Sequence, residues 1–232
     1  MESHPNHEES HLMRTWSFSS MSTFCNCPRQ YALTYVTPVI PYQETEATKW
    51  GTEVHLALEE YGRDGKPLGE KFRKFKPYAD KIITLPGEKF FERQFALTRN
   101  LTPCGFDDPD AWCRGVIDLG TVDTNRAFVA DYKTGKVRAD SDQLKLFAAF
   151  IMQHYPDVQS VKTAYLWLAH KKTTVETYTR ADLPAIWQHF MVKAARIEKA
   201  YESDKWVPRP SGLCRGWCGA TKKHCEFWSP RT

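Results

Sequence analysis

With 232 residues, 41% of them hydrophobic and 13% aromatic, the chain is long enough to bury a sizeable core. Thirty-two Lys and Arg against 28 Asp and Glu leave a net charge of +4, too small for global charge to identify nucleic acid as a partner. No run of about 18 apolar residues offers a membrane span, and seven cysteines, an odd number without a secretory signal, argue for a reduced intracellular (cytoplasmic) setting and against a disulfide scaffold.

Residues 1–15, with His4, His7 and His11 among Glu and Ser, read as a flexible, solvated tail. Residues 16–232 read as one domain, without internal repeats. Residues 17–36 suggest two short helices broken by Pro28. Trp50, Val54, Leu58 and Tyr61 recur at helical spacing, placing His55 and Glu59 on a neighbouring face and Gly51 one turn before His55, where a missing side chain leaves room for close approach. Residues 66–81 interleave six Lys and Arg with Phe72, Phe75 and Tyr78. That mixture suits a surface tracking a single nucleic-acid strand, and equally an amphipathic helix with its aromatics in the core. Residues 87–99 read as a strand whose Glu92 is either an accessory acid or a surface carboxylate.

The most informative stretch follows. Gly115-Val-Ile-Asp118 and Asp131-Tyr-Lys133-Thr-Gly135 flank a turn at residues 123–126, which predicts a β-hairpin. Centring the turn on Thr124-Asn125 sets Asp118 opposite Asp131 and sends Asp131 and Lys133 to one face, Ala130 and Tyr132 to the other. Opposed carboxylates repel unless something neutralises them, and Mg²⁺, which takes one or two protein carboxylates and keeps open positions, suits the task. Lys133 reaches the same place and there assists an attacking water or the charge of a phosphoryl group. Beyond the hairpin, Asp140 to His154 reads as a helix with Gln143 in its first turn, Val161 to His170 and Thr173 to Arg180 as strands, and Leu183 to Glu202 as a long helix. Cys214, Cys218 and Cys225 lie in a loop rich in Pro and Gly that lets thiolates turn toward one ion or cluster. Three cysteines need a fourth, and Cys104 and Cys113 look structural or incidental. Trp206, Trp217 and Trp228 are expected to pack around this loop.

In order, Gly51-x-x-x-His55, Gly115-Val-Ile-Asp118, Asp131-Tyr-Lys133 and Gln143-Leu-Lys-Leu-Phe147 resemble the motifs of the RecB-like branch of the PD-(D/E)XK nuclease superfamily. The resemblance spans about residues 15 to 230. It implies an α/β, restriction-endonuclease-like core, a mixed central sheet flanked by helices, and a metal-dependent nuclease acting on DNA. It further implies that His55, Asp118, Asp131 and the Tyr132 carbonyl hold Mg²⁺ or Mn²⁺, that Lys133 is the catalytic lysine and that Gln143 belongs to the following Gln-x-x-x-Tyr motif, where this chain has Phe147. The segment around Cys27-Pro-Arg resembles the first cluster cysteine of iron–sulfur members, which include recombination and CRISPR adaptation nucleases. That makes Cys27, with Cys25 as a competitor, the partner of Cys214, Cys218 and Cys225 around a 4Fe–4S cluster, with zinc as the alternative. Residues 206–232 would then close onto the N-terminal helices as a cysteine-rich segment. A stand-alone member of this kind implies a bacterial or phage exonuclease of recombination, repair or phage DNA processing. Two competing readings are a non-catalytic DNA-binding module with a structural cluster and a nuclease acting on RNA; the intact Asp, Asp and Lys set favours catalysis.

Overall fold

The computed structural model describes residues 15–41 and 43–230, so the expected tail lies, apart from Thr15, outside the described residues. The chain divides into two compact units, one combining its two ends (residues 1–41 and 190–232), the other spanning residues 42–189.

The end unit begins with α1 (Phe18–Asn26), whose entry is closed by reciprocal Ser17 and Ser20 bonds. Pro28 then occupies the first turn of α2 (Pro28–Tyr31), where its missing N–H costs nothing, and a π-helical turn, Ala32–Val36, follows. The unit's core is aromatic. Trp206 stacks on Tyr31 with centroids 5.7 Å apart and meets Phe24 and Tyr201 edge-on.

The central unit opens with α3 (Glu46–Asp64), started by a Thr45–Thr48 capping box and stopped at Gly65, whose φ of 68° is a left-handed turn that glycine adopts freely. A 3₁₀ turn (Glu70–Phe75) leads into α4 (Lys76–Ile83). Six strands follow: β1 (Glu88–Thr98), β2 (Pro103–Cys104), β3 (Ala111–Asp123), β4 (Arg126–Lys133), β5 (Ser160–Trp167) and β6 (Lys172–Thr179). Between β4 and β5 lies α5 (Asp142–His154), and after β6 comes α6 (Leu183–Ser203), within which the division between the units falls. The strands form one sheet in the order β2-β1-β3-β4-β5-β6. β4 is antiparallel to β3 and parallel to β5, as expected when a tight hairpin precedes β4 and a helical crossover follows it. The expected mixed sheet flanked by helices is thus present.

The hairpin ladder runs from Asp123↔Arg126 to Leu119↔Ala130, in the register read from the sequence. Ala130 and Tyr132 join Val54 and Leu58 of α3 and Phe75 of the 3₁₀ turn in one buried cluster. Phe72 and Tyr78 pack half-buried against it, so the 66–81 segment follows the amphipathic alternative and its aromatics are structural. Close packing of α3 depends on Gly62: a methyl there would come within 2.1 Å of the Phe91 ring. On α5, eight of thirteen residues are buried, and its Phe150 packs where a Cβ on Gly115 of β3 would lie 2.9 Å from the ring. Among the described residues no helix is long and apolar enough to cross a membrane.

Arg180 secures the end of α5, its guanidinium donating to the carbonyls of Met152, Tyr155 and Val158 at 2.6–3.0 Å. The Met152 carbonyl belongs to the last turn of α5, where a helix end leaves acceptors without main-chain partners, and Tyr155 and Val158 belong to the turn that follows. Arg180→Ala is expected to lower stability by about 2 kcal/mol, measured by urea unfolding with an unchanged slope. A loss below about 0.5 kcal/mol, the range of ordinary surface substitutions, would show that water replaces the guanidinium without penalty.

Candidate active site

The β3–β4 ladder ends one step before Asp118 and Asp131. At that step a side chain takes over from the main chain: Asp118 Oδ2 accepts the Tyr132 N–H at 2.7 Å. The strand N–H is satisfied and the carboxylate is held at the sheet. Both aspartates are buried, Asp118 at 8% and Asp131 at 3% exposure.

On the other side of β3, the β1 ladder pairs Phe91↔Leu119 and Arg93↔Ile117 and skips the step between them, where Glu92 faces Asp118. Glu92 has φ 43°, a left-handed conformation that is uncommon and strained for a residue other than glycine. The register therefore sets Glu92, Asp118 and Asp131 in a row across three adjoining strands. α3 brings His55 to this row. Its Nδ1 lies 3.3 Å from Asp118 Oδ2 and 3.7 Å from Glu92 Oε1, and its Nε2 lies 2.8 Å from the Tyr132 carbonyl oxygen. Gly51, one turn earlier, would put a Cβ 3.4 Å from Thr134 Oγ1, an ordinary contact, so the gap it leaves is not filled by the protein.

Lys133 stands on the other flank. Its Nζ is 2.6 Å from Asp131 Oδ2, donates to Gln143 Oε1 at 2.9 Å and lies 5.1 Å from the centroid of the Tyr165 ring. Gln143 comes from the first turn of α5, which Asp142 ties to Lys145 at 2.9 Å and to His189 at 2.8 Å. Phe147, at the position of the motif's tyrosine, is buried. The structure thus brings together His55, Asp118, Asp131, Tyr132, Lys133 and Gln143. It adds two residues. Glu92 becomes legible only once β1 is paired with β3, and Tyr165 carried no sequence signal, because its place opposite Asp131 follows from the parallel β4–β5 register.

Burial pushes Asp118 well above the ordinary carboxylate range, and the nearby Asp131 charge adds to it. Asp131 is also raised, by burial, against the opposing pull of Lys133. Burial opposes the charge on His55, but the neighbouring carboxylates of Glu92, Asp118 and Asp131 outweigh it and lift the imidazole to about 9. A pair of buried acids beside a third carboxylate suits a divalent cation. Among the described residues, His55, Glu92 and Asp118 offer ligand atoms within 4.8 Å of one another and could hold a metal ion. Asp131 is outside that group, its Oδ2 paired with Lys133 Nζ at 2.6 Å. Nitrogen and carboxylate oxygens are donors that Mg²⁺ and Mn²⁺ accept.

The four cysteines Cys27, Cys214, Cys218 and Cys225 line one cavity of the end unit, and Cys25 does not. Main-chain N–H groups of Arg209 and Ser211 donate to the sulfurs of Cys27 and Cys214, each at 3.4 Å. Gln30 donates to the Cys218 carbonyl at 3.4 Å and Arg209 to the Cys25 carbonyl at 2.6 Å, joining the N-terminal helices to the C-terminal loop. Trp206 belongs to the aromatic core of the unit, whereas Trp217 is 63% exposed.

All three raised groups, His55, Asp118 and Asp131, bind protons more tightly when folded than unfolded. Their contribution is complete below the unfolded values, 3.8 for the acids and 6.5 for His55, and is lost as pH rises through the folded ones, near 9 for His55. Metal-free protein in EDTA is therefore expected to lose thermal stability between pH 6 and 9. Mn²⁺, which must displace the His55 proton, should raise Tm more at pH 9 than at pH 6. A stabilisation by Mn²⁺ that is independent of pH would rule out His55 as a ligand.

A model of the PD-(D/E)XK nuclease superfamily matches residues 15–229. Among solved structures, a candidate exonuclease from Eubacterium rectale is similar at 11% identity and a TM-score of 0.50, with 94% of this chain and 92% of that one covered. A second, SSO0001, is similar at 14% identity and a TM-score of 0.46, covering 88% and 82%. The search of curated proteins gave no match.

Proposed function

Because the chain belongs to the PD-(D/E)XK nuclease superfamily, whose members use divalent metals, we propose that it is a Mg²⁺- or Mn²⁺-dependent DNA exonuclease of the RecB-like branch. The observation that carries this reading is the row Glu92, Asp118 and Asp131, closed by His55 on one flank and by Lys133 on the other. His55, Asp118, Asp131 and the Tyr132 carbonyl would hold the metal, with Glu92 as a further carboxylate. An ion in this place lowers the pKa of water and neutralises phosphate charge. In this structure His55 Nε2 and the Tyr132 oxygen are 2.8 Å apart, a hydrogen-bond distance, while Nδ1 faces Asp118 and Glu92.

The chain's own side chains divide the remaining work. Lys133, oriented by Asp131, Gln143 and the Tyr165 ring, directs its ammonium group toward the attacking oxygen or the developing phosphoryl charge. Burial of the aspartates limits competing water and strengthens each electrostatic contact. The expected context is end resection or trimming in recombination, repair or phage DNA processing, inside a bacterial or infected cell.

For the cysteine site we propose a 4Fe–4S cluster bound by Cys27, Cys214, Cys218 and Cys225 as a structural staple. Main-chain N–H groups already face two of these sulfurs, the kind of hydrogen bond that cluster sulfurs accept. One zinc ion is the alternative occupant of the same four thiolates.

End-labelled single- and double-stranded DNA incubated with Mg²⁺ or Mn²⁺, against an EDTA control, tests the main reading. Asp118→Asn is expected to abolish cleavage. Lys133→Ala should slow it by a factor on the order of 10² or more at saturating DNA, while Lys136→Ala changes affinity only slightly. Equal rates for the two lysine variants would remove the case for Lys133 as a catalytic residue. Anaerobically purified protein should be brown, and finding neither iron nor zinc would eliminate both versions of the staple.

A further inference from the structure

On its open side the metal group borders a cleft of about 580 Å³ between α3 and strands β1 and β3. Thr52 and Leu56 form the helical wall, Gln94 and Val116 the strand wall, and His55 and Glu92 are shared with the candidate metal group. Its volume falls in the range of about 300–1,000 Å³ typical of small-molecule pockets, which suits a nucleotide-sized group rather than a duplex.

The chemistry of the walls narrows the occupant further. No Lys or Arg lines the cleft, and its ionisable groups other than His55 are Glu59 and Glu92. A phosphate backbone running through it would find no counter-charge. Leu56, 52% exposed, and Val116 present apolar surface, while Thr52 and Gln94 present hydrogen-bonding groups at exposed positions. A flat ring with apolar faces and a polar edge satisfies both kinds of group at once. Gly51 keeps the floor beside His55 free of a side chain.

We propose that this cleft receives the unpaired terminal nucleoside of a single-stranded end, base against Leu56 and Val116 and base edge toward Gln94 and Thr52, with the phosphate to be cut on the His55–Glu92 side. The inference rests on the nuclease reading and adds the form of the substrate: a frayed or single-stranded end entering base first, with the polymer leaving away from the acidic walls.

The test measures equilibrium binding of a fluorescent single-stranded oligonucleotide in Ca²⁺, with its terminal residue either carrying a base or abasic. The parent protein is expected to bind the base-bearing end about tenfold more tightly, the value of burying a side chain's worth of apolar surface. In Leu56→Ser this preference should shrink to less than about threefold, with a smaller reduction in Gln94→Ala. Val175→Ser, an equally exposed apolar position on β6, should keep the full preference. The proposal is overturned if the parent binds both ends alike, prefers a blunt duplex, or binds no strand, and likewise if Leu56→Ser and Gln94→Ala retain the parental preference. Cleavage in Mn²⁺, assayed in parallel, reports on the nuclease reading separately: a base preference without cleavage refutes that reading and leaves the cleft assignment standing.

Discussion

Three carboxylates on neighbouring strands, with the two aspartates almost sealed from water, form an arrangement that apolar packing alone does not stabilise. Two unit charges about 5 Å apart at an effective dielectric of 20 repel by roughly 3 kcal/mol, more than most single contacts in a fold contribute. The protein surrounds this row with compensating groups: the imidazole of His55, the ammonium of Lys133 and the main-chain N–H of Tyr132. Burial keeps Asp118 and Asp131 raised in spite of these groups, and a divalent cation held here would supply a further positive charge.

Much of the surrounding architecture serves to deliver these groups to one place. α3 can approach the sheet because Gly62 leaves space for Phe91, and that approach carries His55 to Asp118. α5 lies against β3 because Gly115 leaves space for Phe150, and its first turn carries Gln143 to Lys133. Arg180 secures the opposite end of the same helix. Strain appears where the chemistry is: Glu92 sits in a left-handed conformation inside a strand, a cost that persists only where the surrounding packing enforces it.

The end unit follows a different logic. Its aromatic core is small, and among the described residues from 207 onward only Ala220 is buried. A loop of this composition gains order from crosslinks more readily than from apolar burial. Four cysteines line one cavity there, two of them with sulfurs that accept main-chain N–H bonds.

Local patterns in the chain were sufficient to identify the β3–β4 hairpin and its register, because a tight turn determines which residues lie opposite one another and alternation determines their faces. They were also sufficient for α3, α5, α6 and the ordered set of motifs, since helical spacing and capping are local properties. Tertiary structure decided what depends on non-local pairing. Glu92 joins the carboxylate row because β1 pairs with β3, and Tyr165 lies beneath Lys133 because β5 pairs in parallel with β4. The basic, aromatic segment 66–81 was ambiguous by composition, and burial of Phe75 in the core shared with α3 resolved it. Sequence specifies which side chains can share a face; only packing specifies which faces meet, because strand order and helix docking are set by contacts between residues far apart in the chain.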